Sequence, residues 1–212
     1  MSLGGGSSKT HDLAVNAAVD SGLHFAVAAG NDNQDACNYS PAAAEKAVTV
    51  GASSLADARA YFSNHGKCVD IFAPGLNILS TWIGSKYATN TISGTSMASP
   101  HVCGLLSYFL SLSPGSDSDY TVPITPSKMK KRMINIATKN MLTDLPVGTV
   151  NLLVWNGGID KNGTSKFTFE HDESEKSWHE RLGDEFEAIE KEGLEWMEKA
   201  RDFLRKEVEG AL

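Results

Sequence analysis

Residues 93–112 read Ser-Gly-Thr-Ser-Met-Ala-Ser-Pro-His-Val-Cys-Gly-Leu-Leu-Ser-Tyr-Phe-Leu-Ser-Leu, and the organisation of the chain turns on them. Positions 96–112 predict a helix that follows Gly94-Thr95 and stops at Pro114-Gly115. It is apolar on nearly every side, so burial all round is expected. Pro100 fits such a helix only near its start. A buried helix needs layers to bury it, and the flanking sequence supplies them. Residues 7–21 predict a helix with Ser or Thr caps, with Leu13, Ala14, Ala17 and Ala18 at helical spacing and Gly22 as a stop. The apolar run 24–29 then meets Gly30-Asn31-Asp32-Asn33, the pattern of a buried strand ending in a polar turn. Further strand-like stretches lie at 47–52, 69–73, 78–83 and 151–155, each bounded by Gly, Pro or Asn. Helix followed by buried strand gives an α/β class, with a parallel or mixed sheet hiding these strands. Residues 127–138 predict an amphipathic helix with Met129, Met133, Ile134 and Ala137 inward and a solvated basic face.

Composition sets the bounds. The 212 residues are 41% hydrophobic and 21% charged, with 3 Cys, enough for one domain and an appendage. Residues 1–169 are nearly neutral (12 Lys and Arg, 11 Asp and Glu), whereas 170–212 carry 7 basic and 15 acidic residues. The acidity therefore belongs to the tail, and a nucleic-acid-binding face is not expected. No apolar run reaches the roughly 20 residues of a membrane-spanning helix, and the first thirty residues lack a signal-peptide pattern, so neither membrane association nor a leader is expected. Two domains are read: 1–158, and a linker with an acidic amphipathic helix over 159–212. That helix's stripe includes Trp178, Phe186, Trp196 and Phe203, and packing in cis or coiled-coil pairing with another chain would each cover it.

Two segments carry candidate chemistry. A serine at a helix start, Ser96, faces unsatisfied N–H groups and the positive end of the helix dipole, which stabilise an oxyanion formed when the hydroxyl attacks a carbonyl. Gly94 lets a substrate approach the backbone. The blander reading is an N-cap. The GxSxG elbow of α/β-hydrolases does not apply, because Ala98 stands at its second glycine. Asn31, 65 residues earlier at a strand end, can donate its amide to the same oxyanion; the blander reading is a turn former.

Residues 2–6 (SLGGG), 26–33 (AVAAGNDN), 38–53 (NYSPAAAEKAVTVGAS), 61–84 (YFSNHGKCVDIFAPGLNILSTWIG) and 93–102 (SGTSMASPHV) together resemble the subtilisin-like serine proteases. Within them the text is most similar to the proteinase K branch and its fungal vacuolar protease B, or cerevisin-like, group. The resemblance covers 1–112 almost continuously and extends to Trp155-Asn-Gly-Gly158. It implies a partial subtilisin-like three-layer fold, a parallel sheet with helices on both faces, and serine endopeptidase activity through an acyl-enzyme. Ser96 would be the nucleophile and Asn31 the oxyanion-hole donor. Ser2, Leu3 and Gly4 would line one side of the substrate groove, with Ala28, Ala29 and Gly30 opposite and Gly94 beside the serine; the substrate would be a peptide or protein with apolar side chains before the cut. No cofactor is required, although Asp70 matches a structural calcium position whose other ligands are carbonyls near Glu45 and Ala47. Vacuolar or secreted location is implied.

The family's catalytic aspartate and histidine motifs, Asp-Thr/Ser-Gly and His-Gly-Thr-His, occur nowhere in these residues. His11, His24, His65, His101, His171 and His179 all sit in contexts better read as structural or solvated. The expectation is that Met1 is internal to a longer protease and that the chain alone is nearly inactive, with the missing N-terminal half as a partner. The alternative is a non-catalytic binding module using the groove and acidic tail. Cys37 and Cys68, both in loops between strands, could form a disulfide, leaving Cys103 as a buried thiol.

Overall fold

The computed structural model describes residues 1–112 and 124–158. The chain divides into two compact units, Met1–Gly115 with Pro123–Phe169, and Ser116–Val122 with Glu170–Leu212. The second unit, and with it the expected acidic helix, lies outside the described residues.

In chain order the elements are β1 (Gly5–Gly6), α1 (Lys9–Asp20), β2 (Ala26–Ala28), a 3-10 turn at Ala36–Asn38, β3 (Tyr39–Ser40), β4 (Val48–Ser53), β5 (Ile71–Pro74), β6 (Ile78–Thr81), β7 (Thr89–Ile92), α2 (Thr95–Ser111), α3 (Pro126–Ile136), β8 (Thr138–Lys139) and β9 (Leu152–Leu153). The main sheet has the order β2-β4-β5-β9-β8. Its first four strands run parallel and β8 pairs antiparallel with β9. Register follows from side-chain alternation. Ala26, Val48, Val50, Ala52, Ile71 and Ala73 share a core with α2 and α3. The intervening Val27 packs with Val15 of α1, and Phe72 with Ala36, Val69 and Leu142. Both faces of the parallel sheet are covered, which gives three layers.

Local signals place the helix ends. Ser8 caps α1 by accepting from His11 N–H at 3.4 Å, and Thr125 caps α3 by accepting from Lys128 N–H at 3.4 Å, with Pro126 in the first turn. In α1 the buried pair is Val15 and Val19, while Leu13 is 58% exposed. Of the expected Leu13, Ala14, Ala17 and Ala18, the first three are exposed and Ala18 is half-buried; the buried positions are Val15, packed with Val27, and Val19. Met129 and Met133 of α3 are buried, followed by Ala137.

Three further expectations give way. α2 is buried on one side, at Thr95, Ala98, Ser99, Val102, Leu106 and Phe109, because a helix lying on a sheet contacts it with one face. Cys103 on the opposite side is an exposed free thiol, not a buried one. The stretch 78–83 is not a member of the main sheet: β6 pairs antiparallel with its sequence neighbour β7, and Leu79 and Ile83 are exposed. Only residues 82–88 separate the two strands, so the hairpin closes over a short loop.

His24, just before β2, is half-buried, and its Nδ1 is buried without a hydrogen-bond partner among the described residues. Burial pushes its pKa below the ordinary 6.5, opposed by a hydrogen bond to the Ile124 backbone. A depressed imidazole pKa contributes stability above the unfolded value that is lost as pH falls through the folded one. Urea melts should therefore show stability declining below about pH 6.5, and His24→Gln should flatten that part of the profile.

Candidate active site

Ser96 is the second residue of α2 and half-buried. A helix's first N–H groups have no carbonyl four residues back within the helix, so the Ser96 N–H is available at the helix mouth. Asn31 stands on the loop leaving β2, and its Oδ1 accepts from Thr95 N–H at 2.8 Å and from Thr95 Oγ1 at 2.9 Å. The Thr95 hydroxyl in turn accepts from Gly30 N–H at 3.2 Å. With Oδ1 committed to two donors, the amide's Nδ2 faces the other way. A Cβ added at Gly94 would lie 3.6 Å from Asn31 Nδ2 and 3.6 Å from Ser96 N. Two donors thus flank the same small space, left open by a glycine. An oxygen bearing negative charge placed there would meet an amide N–H, a backbone N–H and the positive end of α2.

Ser2 lies against Ser96. Its Oγ donates to the Ser96 carbonyl at 2.8 Å, and Ser96 Oγ donates to the Ser2 carbonyl at 3.5 Å. The first of these explains how Pro100 is tolerated six residues into the helix, further in than the sequence suggests. A residue with an N–H at position 100 would bond the carbonyl four residues back; proline has none, and the Ser2 hydroxyl takes that orphaned acceptor instead. Met1 runs beside β2, donating to Ala26 O at 2.5 Å and accepting from Ala28 N–H at 3.1 Å. Beyond it the two segments part, since Ala29 N–H bonds Val50 O and Gly5-Gly6 pair with β3. Leu3 is 52% exposed, and Gly4 is exposed as well. Ala28 and Ala29 are buried, the latter packed with Ala36 and Phe72, so this side offers backbone and the half-buried Gly30 rather than methyl groups.

The Asn31 loop is held from below by a residue to which the sequence reading assigned no role. Asn64 is fully buried; its Nδ2 donates to Ala29 O at 2.9 Å, and its Oδ1 accepts from Asp32 N–H at 3.1 Å and Gln34 N–H at 3.0 Å. Backbone bonds from Asn33 to Phe62, Asn64 to Gly30, His65 to Gln34 and Ala36 to His65 zip the two loops together. Gly30 has φ +104°, and a Cβ there would fall 2.3 Å from Asn64 Nδ2, so only glycine lets the loop close over the amide. Cys37 and Cys68 are joined by a disulfide closing 31 residues, worth about 3–4 kcal/mol by loop entropy. Thr95 is the second residue missed. Its sequence signal was its place before Ser96; that of Asn64 was its place in the Ser-Asn-His-Gly turn.

Among the described residues no histidine is hydrogen-bonded to Ser96, and the His101 ring bonds Met97 O at 2.8 Å on its own helix. Asp70 does not face open solvent. Its Oδ2 accepts from Lys130 Nζ at 2.8 Å and from Thr49 N–H at 2.7 Å, and Lys130 Nζ also donates to Glu45 O at 2.9 Å and Ala47 O at 2.7 Å. Burial pushes the Asp70 carboxyl up; the Lys130 charge and the hydrogen bonds from Lys130 and Thr49 oppose it. The three oxygens expected around calcium therefore surround an ammonium, and the residues present do not fit the metal. The reading of α3's basic face as wholly solvated fails at Lys130.

A three-layer α/β fold of this order, with a helix-start serine facing a strand-end asparagine, is a subtilisin-like fold. The chain belongs to the subtilase family, whose sequence profile matches residues 1–163. A subtilisin-like protease of Coccidioides posadasii is 78% identical over 166 residues, covering 78% of this chain and 33% of its own length. The subtilisin-like serine protease Pen c 2 of Penicillium citrinum is 74% identical over 165 residues, covering 77% of this chain and 36% of its own. Among solved structures, a cold-adapted subtilisin-like serine proteinase superposes with a TM-score of 0.66 at 44% identity, covering 74% of this chain and 53% of that one. The chain spans about a third of the length of these curated relatives.

Asn64→Asp should test the loop support, because a carboxylate cannot donate to Ala29 O and would oppose it. Denaturant unfolding should show a loss of about 2–3 kcal/mol, larger than that of Ser2→Ala, whose vacated acceptor lies near solvent.

Proposed function

We propose that these residues form the nucleophile and oxyanion half of a serine endopeptidase of the proteinase K branch, in its cerevisin-like group. Ser96 Oγ attacks the scissile carbonyl. The oxyanion is received between Asn31 Nδ2 and the Ser96 N–H, the carbon–nitrogen bond breaks as the amine leaves with the proton taken from Ser96, and water then hydrolyses the acyl-enzyme. The general base that takes the Ser96 proton, and the carboxylate that orients it, come from polypeptide outside these 212 residues. The convergence of Asn31 Nδ2 and Ser96 N on the space beside Gly94 carries this reading. The substrate is an extended peptide lying along Ser2–Gly4, with an apolar side chain before the cut. The disulfide supports an oxidising compartment, in line with vacuole or secretion. Without a partner the same groove acts as a peptide-binding surface, a reading favoured by the bond of His101 to Met97 instead of Ser96.

The test is hydrolysis of a fluorogenic peptide with an aromatic residue before the scissile bond. The 212-residue chain alone should turn over about 10⁴–10⁶-fold more slowly than the same chain joined to the preceding part of the Penicillium citrinum relative. In that joined protein Ser96→Ala should abolish turnover, and Asn31→Ala should lower kcat about 10²–10³-fold with little change in KM. Full activity of the joined protein with Ser96→Ala would overturn the assignment.

A further inference from the structure

The Lys130 ammonium has three protons and three oxygen partners, Asp70 Oδ2, Glu45 O and Ala47 O, all within 2.9 Å. These oxygens come from two separate parts of the fold, the loop entering β4 and the start of β5, while the lysine reaches in from α3. Both side chains of the pair are mostly withdrawn from water, at 17% and 21% exposure. One carboxylate and two carbonyls aimed at a point is the donor set of a hard cation. A lysine nitrogen with every proton donated satisfies the same oxygens with a single charge that cannot dissociate.

We infer that Lys130 is a tethered cation standing where a metal ion would otherwise bind, and that it makes this part of the fold independent of calcium. The ammonium ties the β4 and β5 entries together, as an ion on the same three oxygens would, and seats α3 against both. Calcium cannot share the position: it would need the same three oxygens at 2.3–2.6 Å and would meet a like charge. Shortening the lysine should leave a carboxylate and two carbonyls unmatched around a space that water and a divalent cation can fill. Lys130→Ser should therefore create a calcium site that the natural chain lacks.

The experiment compares the full 212-residue chain, Asp70→Asn, Lys130→Ser, and Lys130→Ser combined with Asp70→Asn. Each is melted by circular dichroism in chelator and in millimolar calcium chloride, and titrated with calcium chloride by calorimetry. The wild type should fold in chelator, melt at the same temperature in both buffers and give no saturable heat. Lys130→Ser should melt about 5 °C or more lower in chelator, recover most of that loss with calcium and bind it at one site; the double variant should do neither. If Lys130→Ser is unfolded in chelator, folding on calcium addition supports the inference and failure to fold in either buffer overturns it. It is equally overturned by a wild type that needs or gains from calcium in an Asp70-dependent way, or by a folded Lys130→Ser that ignores the ion.

Discussion

The Thr95 side chain joins the two halves of the site. Its hydroxyl has one proton to give and lone pairs to receive, and it uses them on consecutive residues of one loop: it accepts from Gly30 N–H and donates to Asn31 Oδ1. Its backbone N–H, an orphan at the helix start, goes to the same Asn31 oxygen. One residue thereby fixes the end of β2 against the beginning of α2 and sets which way the asparagine amide points. Asn31 is an exposed loop residue, and without Thr95 its side chain would turn freely. With it, the amide is held in one orientation, which the proposed oxyanion role requires.

The surrounding structure keeps that junction rigid through a few well-paired groups. Asn64 spends its amide on three backbone groups of the Asn31 loop, the neighbouring backbones zip together, and the disulfide closes the far side. Ser2 supplies the partner that Pro100 denies to the Ser96 carbonyl. Each pairing joins segments far apart in sequence, and for the buried Asn64 it also satisfies polar groups whose burial would otherwise be costly.

The same economy governs the Asp70 corner. Desolvation raises the cost of its charge, and a lysine from another element supplies the counter-charge and also satisfies two carbonyls. An ion pair of this kind contributes less through net energy than through the geometry it enforces, here the seat of α3 against the sheet.

By itself the sequence determined the local structure. Ser or Thr capping of α1, the methionine spacing of α3, the short apolar strands ending in Gly and Asn, and the serine at a helix start are all governed by interactions within a turn or two of the chain. For the same reason it could point to Ser96 and Asn31 one at a time. Only the tertiary structure decided which faces of α1 and α2 are covered, that 78–81 leaves the main sheet for a hairpin, that Asn64 and Thr95 hold Asn31, and that Lys130 stands at Asp70. Those outcomes depend on side-chain direction and, for the site, on partners distant in the chain, as Asn64 is 35 residues from Ala29 and Thr95 is 64 from Asn31. Periodicity and capping rules carry no information about contacts at that range, because they describe what a segment prefers and not what it will meet.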